Sequence, residues 1–396
     1  MVSRHEEWCG RNCLNLIPSE NVMSPAVRIL LSSELGHRYT SRYNFYRGTR
    51  FLDEIERHGE ELAKEVFGAE VADLRPLSGH IADLTFLACF AKPGDVLMCI
   101  SEEDGGYPGL GEAGLAGLLG LKLVPFPFEK EKMNIKVEKA EETIKHVKPK
   151  IVIFGASLIL FPHPVKQLAN VAVENGAHVG FDGSHVLGLI AGKQFQDPLR
   201  EGAHALFGST HKSLFGPQGG IILADKAHGE VVKEKIFPRF VDNAHWNRIA
   251  ALTLALAEMK RFGRDYAEQV VRNSKALAKA LYDHGLPVKC HEIGFTNSHQ
   301  VILDFGSPER GMEVADKLER ADIIVDSVVR IGTCEVTRRG MKTSEMSKIA
   351  ELIKRVVEGE NPETIKCEVH KLCSEFREIS NTAFNFGKLI INKLII

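Results

Sequence analysis

A lysine inside a loop of small residues is the first candidate for chemistry in this sequence. Lys212 lies in the segment 208–220 (GSTHKSLFGPQGG), directly after the apolar run 205–207. Partial burial there would lower the pKa of its amine and make the amine a usable nucleophile. The competing interpretation is a surface lysine in a flexible loop, and the apolar residues on both sides leave the two interpretations evenly balanced.

Three further segments carry groups that could bind a charged ligand. Asp182 follows the apolar run 178–181, and a carboxylate there can hold a ligand cation such as a protonated pyridine nitrogen. Ser78 and Gly79 precede a helical stretch, and the N–H groups at a helix start can bind an anion. Arg330 stands between two β-branched residues, and its planar fork suits a carboxylate. Taken singly, each has a structural alternative, namely a turn, a helix cap or an internal ion pair.

Two other patterns are weaker. The segment 109–114 (GLGEAG) matches the dinucleotide-binding spacing of glycines, but residues 101–108 separate it from the nearest predicted strand, where that fingerprint should begin. A helix-packing segment explains it better. Cys367, His370 and Cys373 fall on roughly one helix face, yet no fourth zinc ligand accompanies them. We therefore predict an amphipathic helix there and no metal site.

The elements that must position these groups alternate between strand and helix. Seven short apolar runs are the predicted strands: 71–74, 96–100, 121–125, 151–154, 178–181, 205–207 and 221–224. Helical stretches between them predict βαβ units, and hence an α/β fold with a mostly parallel seven-stranded sheet covered on both faces. Ligands of such sheets bind beyond the carboxyl ends of the strands, where Asp182, Lys212 and Ser78 fall.

The chain is long enough for more than one domain. We predict an N-terminal arm over residues 1–40, a large ligand-binding domain over 41–242, and a bridging helix with a smaller C-terminal α+β domain over 243–396. The bridging stretch, 245–284, is expected to break near Gly263. The runs 301–305 and 323–328 are the strands expected in the smaller domain.

Composition excludes several classes of protein. Fifty Lys+Arg against 52 Asp+Glu give a formal net charge of −2, so no global positive field attracts nucleic acid or anionic lipid. The longest apolar run is about half the ~20 residues that a membrane span needs. Eight cysteines without a Cys-x-x-Cys pair favour a reducing, cytoplasmic setting. We therefore expect no nucleic-acid partner and no membrane partner.

In their order along the chain these features resemble the fold-type I pyridoxal-phosphate enzymes, and four motifs narrow the resemblance to the archaeal branch of the serine hydroxymethyltransferase family. Residues 15–21 (NLIPSEN) are similar to the family's LIASEN arm. Residues 182–188 (DGSHVLG) are similar to its D-x-A-H-V-x-G motif. Residues 209–220 (STHKSLFGPQGG) are similar to T-H-K-x-x-x-G-P-R-G-G, and 330–340 (RIGTCEVTRRG) to R-x-G-T…T-R-R-G.

The resemblance implies a homodimeric enzyme with shared active sites, pyridoxal 5′-phosphate as cofactor and a small amino acid as substrate. Lys212 would form the covalent link to the cofactor, and Asp182 would pair with its pyridine nitrogen. His185 and His211 would flank the cofactor. Tyr107 stands where the family has a histidine stacked on the ring, and an aromatic face can do that work.

The same resemblance assigns the remaining site residues. Ser78 and Gly79 would bind the phosphate, with Tyr39 reaching it as well. Ser157 would contact the phenolic oxygen of the cofactor. The residues that would bind the substrate, chiefly its carboxylate, are Arg330, Ser19 and Tyr46.

The sequence departs from the family on the side where a pterin would bind. Ser41 stands at the position of the family's catalytic glutamate, and a hydroxyl cannot act as a carboxylate acid or base at neutral pH. The loop before Arg330 is cut to residues 326–329, and 238–241 (PRFV) replaces a partner-subunit Gly-Gly turn.

Three hypotheses remain open from the sequence. The first is serine–glycine interconversion with tetrahydrofolate or tetrahydromethanopterin as one-carbon carrier. The second is pterin-independent cleavage or racemisation of threonine, allo-threonine or a related β-hydroxy amino acid, which Ser41 and the short loop favour. The third is a non-catalytic paralogue that keeps the cofactor. The sequence does not specify the physiological amino acid or its stereochemistry.

Overall fold

The computed structural model describes residues 1–39 and 46–380. Ser41 and the apolar tail at 384–396 therefore lie outside the described residues. The chain divides into two compact units. The larger is Met23–Arg264, and the other combines Met1–Val22 with the described residues from Asp265 onward.

Thirteen strands and fourteen α-helices occur in the described ranges. The strands are β1 Leu14–Asn15, β2 Val71–Asp73, β3 Val96–Cys99, β4 Lys122–Pro125, β5 Phe128–Glu129, β6 Asn134–Ile135, β7 Ile151–Phe154, β8 His178–Asp182, β9 Ala205–Ser209, β10 Gly220–Ala224, β11 Gln300–Ile302, β12 Ile323–Ile324 and β13 Arg330–Gly332. The helices are α1 Val2–Glu7, α2 Pro25–Leu31, α3 Arg50–Phe67, α4 Gly79–Phe90, α5 Leu115–Leu119, α6 Val137–Val147, α7 Val165–Glu174, α8 Leu187–Ala191, α9 Lys226–Arg239, α10 Trp246–Asp283, α11 Pro308–Arg320, α12 Cys334–Arg338, α13 Thr343–Val357 and α14 Pro362–Glu375.

The larger unit is built on a seven-stranded sheet with the strand order β2-β10-β9-β8-β7-β3-β4. Strand β10 is antiparallel to both of its neighbours, and the other pairs are parallel. Because β10 is antiparallel to both β2 and β9, those two strands run in the same direction. The carboxyl ends of β2, β9, β8, β7 and β3 therefore lie along one edge of the sheet. The predicted mostly parallel seven-stranded sheet is confirmed.

Burial explains why the central strands read as short continuous apolar runs. Every residue of β7 (IVIF) is buried, as expected for a strand covered on both faces. Helix α4 covers β9, and the rings of Phe86 and Phe207 lie 5.0 Å apart. This packing holds the first turn of α4 at the carboxyl edge of the sheet.

The second unit contains two small sheets and the helices that cover them. Strand β1 pairs with β12 in parallel, and β11 pairs with β13 antiparallel. Their apolar residues share one core with α11, α13 and α14, which includes Leu14, Ile323 and Ile353. Strand β12 ends earlier than the run 323–328 predicts. The chain turns at Asp326, whose carboxylate accepts the backbone N–H of Arg330 at 2.9 Å.

Helix α10 is a single helix of 38 residues. The predicted break near Gly263 is wrong. Gly263 lies within the helix, where the side chain of Met259 occupies the space that a Cβ would need, which explains why a glycine stands at this position. In the described ranges, the chain offers no helix with the length and apolarity to cross a membrane.

Candidate active site

The carboxyl edge of the large sheet brings together segments that are far apart in the sequence. Ser78 and Gly79 follow β2, Tyr107 follows β3, and Ser157 follows β7. Asp182 ends β8, and Lys212 is the third residue of the loop after β9. Since β2 and β9 run in the same direction as β3, β7 and β8, all of these residues reach the same edge of the sheet.

Lys212 is held in a structured loop. The hydroxyl of Thr210 donates to the carbonyl of Pro217 at 2.6 Å, and the amide of Phe215 donates to the carbonyl of Lys212 at 3.1 Å. The Nζ atom of Lys212 lies 3.5 Å from Nε2 of His185. These contacts favour the interpretation of a positioned, half-buried amine over a flexible surface lysine.

Two hydrogen bonds join Asp182 to Ser209, and Ser209 packs against the start of α4. The Asp182 carboxylate, which is 8% exposed, accepts the backbone N–H of Ser184 at 2.9 Å. The Ser184 hydroxyl in turn accepts the backbone N–H of Ser209 at 3.0 Å. A Cβ at Gly79 would lie 2.8 Å from that same Ser209 nitrogen, so only glycine allows this approach. The predicted cation-binding and anion-binding groups are therefore parts of one connected site.

The first turn of α4 has the character of an anion site. Ser78 is its N-cap, and its hydroxyl accepts the backbone N–H of Ile81 at 3.1 Å. The backbone N–H groups that come before Ile81 in this turn, together with the positive end of the helix dipole, attract an anion. Ser209, which packs against Gly79, adds a hydroxyl that sequence reasoning missed. The position of Ser209, three residues before Lys212 at the end of β9, was the feature of the sequence that could have indicated this role.

His211 is a neutral histidine at ordinary pH. Burial, and then the positive charge of Lys212, lower the pKa of His211 to about 4. Its Nδ1 atom is buried and has no hydrogen-bond partner among the described residues. A buried polar atom of this kind is normally satisfied by a ligand or water.

Tyr107 is held by a neighbour on α4. Its hydroxyl lies 3.1 Å from Nδ1 of His80, and the two rings meet edge to face at 83°. Burial, and then the charges of Asp83 and Asp182, raise the pKa of Tyr107 to about 12. The phenol therefore stays protonated at neutral pH.

Asp83 is a second buried carboxyl that the sequence reasoning missed. It is 1% exposed, and its Oδ1 atom has no hydrogen-bond partner in the described part of the chain. Burial, and then the charge of Asp182, raise its pKa well above the usual range, while Lys212 opposes the shift. An acidic residue in the apolar run ADLTFLACF was the signal available in the sequence.

Tyr39 and Tyr46 lie at the two ends of the segment 40–45. Both are exposed, and their rings are 5.2 Å apart. Their assignments to the phosphate and to the substrate stay predictions, and so does the assignment of Ser157 to the cofactor.

Arg330 and Ser19 belong to the other unit. The Nε atom of Arg330 donates to Asp326 at 2.8 Å, so the internal ion pair weighed from the sequence exists. The amide of Gly332 donates to the carbonyl of Leu16 at 2.7 Å, which ties the arm carrying Ser19 to β13. The substrate-binding role of Arg330 and Ser19 stays a prediction.

The cysteine and histidine residues of α14 do not converge. Cys367 is exposed, whereas Cys373 is buried. His370 is bound through Nε2 to the carboxylate of Asp322 at 2.6 Å. The segment 109–114 begins within a 3₁₀ turn, Pro108–Leu110, instead of at a strand end.

A mostly parallel sheet with a lysine, an aspartate and a helix N-terminus at one edge defines a fold-type I pyridoxal-phosphate transferase. The model of the family described as serine hydroxymethyltransferase matches residues 2–353. The chain belongs to the serine hydroxymethyltransferase family, and it is a pyridoxal-phosphate-dependent transferase.

Individual relatives agree with this assignment. The serine hydroxymethyltransferase of Methanocella arvoryzae is 44% identical over 93% of this chain and 92% of its own length. That of Methanocaldococcus jannaschii is 44% identical over 95% of this chain and 93% of its own length. A crystal structure of L-threonine transaldolase from Pseudomonas fluorescens, in the internal aldimine state, superimposes with a TM-score of 0.92 at 26% identity. The superposition covers 100% of this chain and 95% of the transaldolase.

Proposed function

We propose that this enzyme interconverts serine and glycine, with a pterin as the one-carbon carrier. The observation that carries the proposal is the meeting of Lys212, Asp182 and the start of α4 at one sheet edge, in a chain that matches the family from residue 2 to 353. Relatives named serine hydroxymethyltransferase, similar over nearly their whole length, support the same activity.

The groups at this edge fit pyridoxal phosphate. Gly79 lets Ser209 approach the first turn of α4, where N–H groups and hydroxyls suit a phosphate, and His211 offers a buried nitrogen without a partner among the described residues. Lys212 would hold the aldehyde carbon, and Asp182 would hold the pyridine nitrogen in its protonated form. When bound, the cofactor supplies a sink for the electrons released as a bond at Cα breaks.

The remaining residues would orient the amino acid and handle protons. His185 lies 3.5 Å from Lys212 Nζ, where it can exchange a proton with the amine. Asp326 holds the Nε side of Arg330 and so fixes the direction of the guanidinium that would bind the substrate carboxylate. A fixed carboxylate orients the bond at Cα that is to break.

A substrate screen with and without a carrier tests the proposal. Purified enzyme is assayed for serine cleavage and glycine formation alone, with tetrahydrofolate, and with a tetrahydromethanopterin analogue. We expect serine turnover to require one of the two carriers and to vanish in Lys212→Ala. A colourless protein that stays colourless with added cofactor would exclude the whole proposal.

Pterin-independent cleavage of a β-hydroxy amino acid is the second candidate. The similarity to an L-threonine transaldolase structure and the serine at position 41 favour it. Threonine cleavage without any carrier, together with no carrier-dependent serine turnover, would select it. Bound cofactor without exchange of the glycine α-proton would instead select a non-catalytic paralogue.

We also propose a cytoplasmic homodimer in which each active site draws on both subunits. All eight cysteines lie in the described residues, and no disulfide joins them, which supports a reducing compartment. Light scattering of the purified holoenzyme should give twice the chain mass of 43.9 kDa.

A further inference from the structure

Three histidines meet at the edge of the large sheet opposite the cofactor site. His178 is the first residue of β8, whereas Asp182 is its last, so about 13 Å of strand separates the two edges. His204 directly precedes the parallel strand β9, and His228 lies in the first turn of α9. One ring nitrogen from each histidine lies within 4.8 Å of the other two.

His228 is already oriented as a metal ligand would be. Its Nδ1 lies 2.9 and 3.0 Å from the two carboxylate oxygens of Asp225. An ionised carboxylate only accepts, so Nδ1 carries the proton and Nε2 presents its lone pair. That lone pair faces Nδ1 of His178 at 3.0 Å. A carboxylate behind a histidine is the usual support of a metal-binding imidazole, because it fixes the tautomer and raises the basicity.

The spacing of the nitrogens suits a tetrahedral ion. Two nitrogens bound to Zn²⁺ at about 2.0–2.1 Å lie about 3.4 Å apart. The separation of 3.0 Å between His178 and His228 therefore needs only a few tenths of an ångström of adjustment. His178 must also change its tautomer, so that the proton lies on Nε2 instead of Nδ1. Because the ring is only half-buried, this change can occur by proton exchange with solvent.

His204 needs a larger change. Its ring stacks on that of His228 with centroids 4.1 Å apart and planes at 9°, and its Nδ1 accepts the backbone N–H of Val179 at 3.0 Å. To become a ligand, the ring must turn out of the stack and release that hydrogen bond. Leaving the backbone N–H of Val179 without its acceptor costs about 1–3 kcal/mol, and the free energy of ion binding must offset this penalty.

We propose that His178, His204 and His228 bind one divalent transition-metal ion, zinc being the best match, with Asp225 as the carboxylate that supports His228. Neutral imidazoles without thiolate or carboxylate ligands select Zn²⁺ and its neighbours over Mg²⁺ or Ca²⁺. The ion would join β8, the start of β9 and α9, and so stabilise the larger unit without entering the catalytic site.

The test uses the untagged full-length holoenzyme, since a histidine tag would bind zinc itself. The protein is dialysed against a chelator, incubated with Zn²⁺ and desalted, and zinc per chain is measured by mass spectrometry. We expect about one zinc per chain in the wild type and in the control His58→Ala, an exposed histidine of α3. His228→Ala and His178→Ala should lose it, while the visible absorption of the bound cofactor stays the same in all four proteins.

Asp225→Asn covers the case in which the histidine variants do not fold. Asparagine caps a helix as well as aspartate does, so α9 keeps its start, and all three imidazoles remain. We expect its zinc affinity to fall by roughly 10- to 100-fold.

Zinc should raise the thermal midpoint of the wild type and of His58→Ala, but not of His228→Ala. Absence of stoichiometric zinc in the wild type, or equal zinc in wild type and His228→Ala, would overturn the proposal.

Discussion

Adding one methyl group at Gly79 should weaken cofactor binding without unfolding the protein. In Gly79→Ala the new Cβ would lie 2.8 Å from the Ser209 backbone nitrogen and 3.1 Å from Ser184 Oγ. Ordinary contact begins near 3.4 Å, so the start of α4 and the Ser209 backbone must separate by about 0.6 Å. Both elements carry the groups proposed to bind the phosphate.

The size of the effect follows from hydrogen-bond geometry. A charge-assisted hydrogen bond of about 2.8 Å that lengthens by about 0.6 Å passes beyond the useful range. Loss of one such bond to a charged group costs about 1.5–3 kcal/mol. The dissociation constant for pyridoxal phosphate should therefore rise roughly 10- to 100-fold.

A titration of apoenzyme with pyridoxal phosphate, followed by its visible absorption, measures this constant directly. Gly10→Ala is the matched control, because a Cβ at Gly10 meets nothing within 4 Å. Thermal unfolding of both variants reports whether the fold is kept. A Gly79→Ala protein that binds the cofactor within twofold of wild type would refute the assignment of the phosphate to the start of α4.

Four further substitutions test other parts of the account. Lys212→Ala should bind no cofactor covalently, and a cofactor that remains attached after denaturation would place the link elsewhere. Asp182→Asn should keep the attached cofactor yet slow turnover by roughly 100-fold or more, because an electrostatic stabiliser is lost; unchanged turnover would contradict its pairing with the ring nitrogen. Arg330→Lys should raise KM for the amino acid about 10- to 100-fold and leave cofactor affinity unchanged, since lysine cannot form the bidentate pair. His163 is 3% exposed, and burial lowers its pKa to about 4. As the pH falls from about 6.5 to 4, this histidine becomes protonated in the unfolded chain while it stays neutral in the folded protein, so the folded state loses stability. His163 should therefore account for a loss of about 2 kcal/mol in the free energy of unfolding between pH 7 and 5. Because His211 adds a loss of the same kind, His163→Gln should reduce the total loss measured by urea unfolding by about that amount without abolishing it. An equal loss in wild type and variant would contradict the assignment.

The strands of the large sheet were predictable because a strand buried on both faces has a continuous run of apolar residues in the sequence. The run IVIF at β7 is apolar throughout, and its predicted bounds match the structure. The continuity of α10 through Gly263 was not predictable, because only the structure shows that a Cβ at this position would meet the side chain of Met259. Local propensity is a weak guide wherever a contact several residues away decides the conformation.

The chemical types in the site were also readable from the chain. A lysine among small residues, an aspartate at a strand end and a serine before a helix each have a local signature, and their order carried the resemblance to the family. Ser184 and Ser209 lie within the motifs that carried the resemblance, but no local pattern gave either of them a role. Their importance comes from the hydrogen bonds that link Asp182, Ser184 and Ser209, and from the packing of both serines against Gly79.

The sequence by itself determined the fold class and the order of the functional groups, because hydrophobic periodicity and strand-end residues are local properties of the chain. The tertiary structure decided which of those groups meet. It set the 3.5 Å approach of His185 to Lys212, the burial that keeps His211 neutral, and the cluster of His178, His204 and His228. Distances and burial depend on residues far apart in sequence, and only the folded chain brings them together.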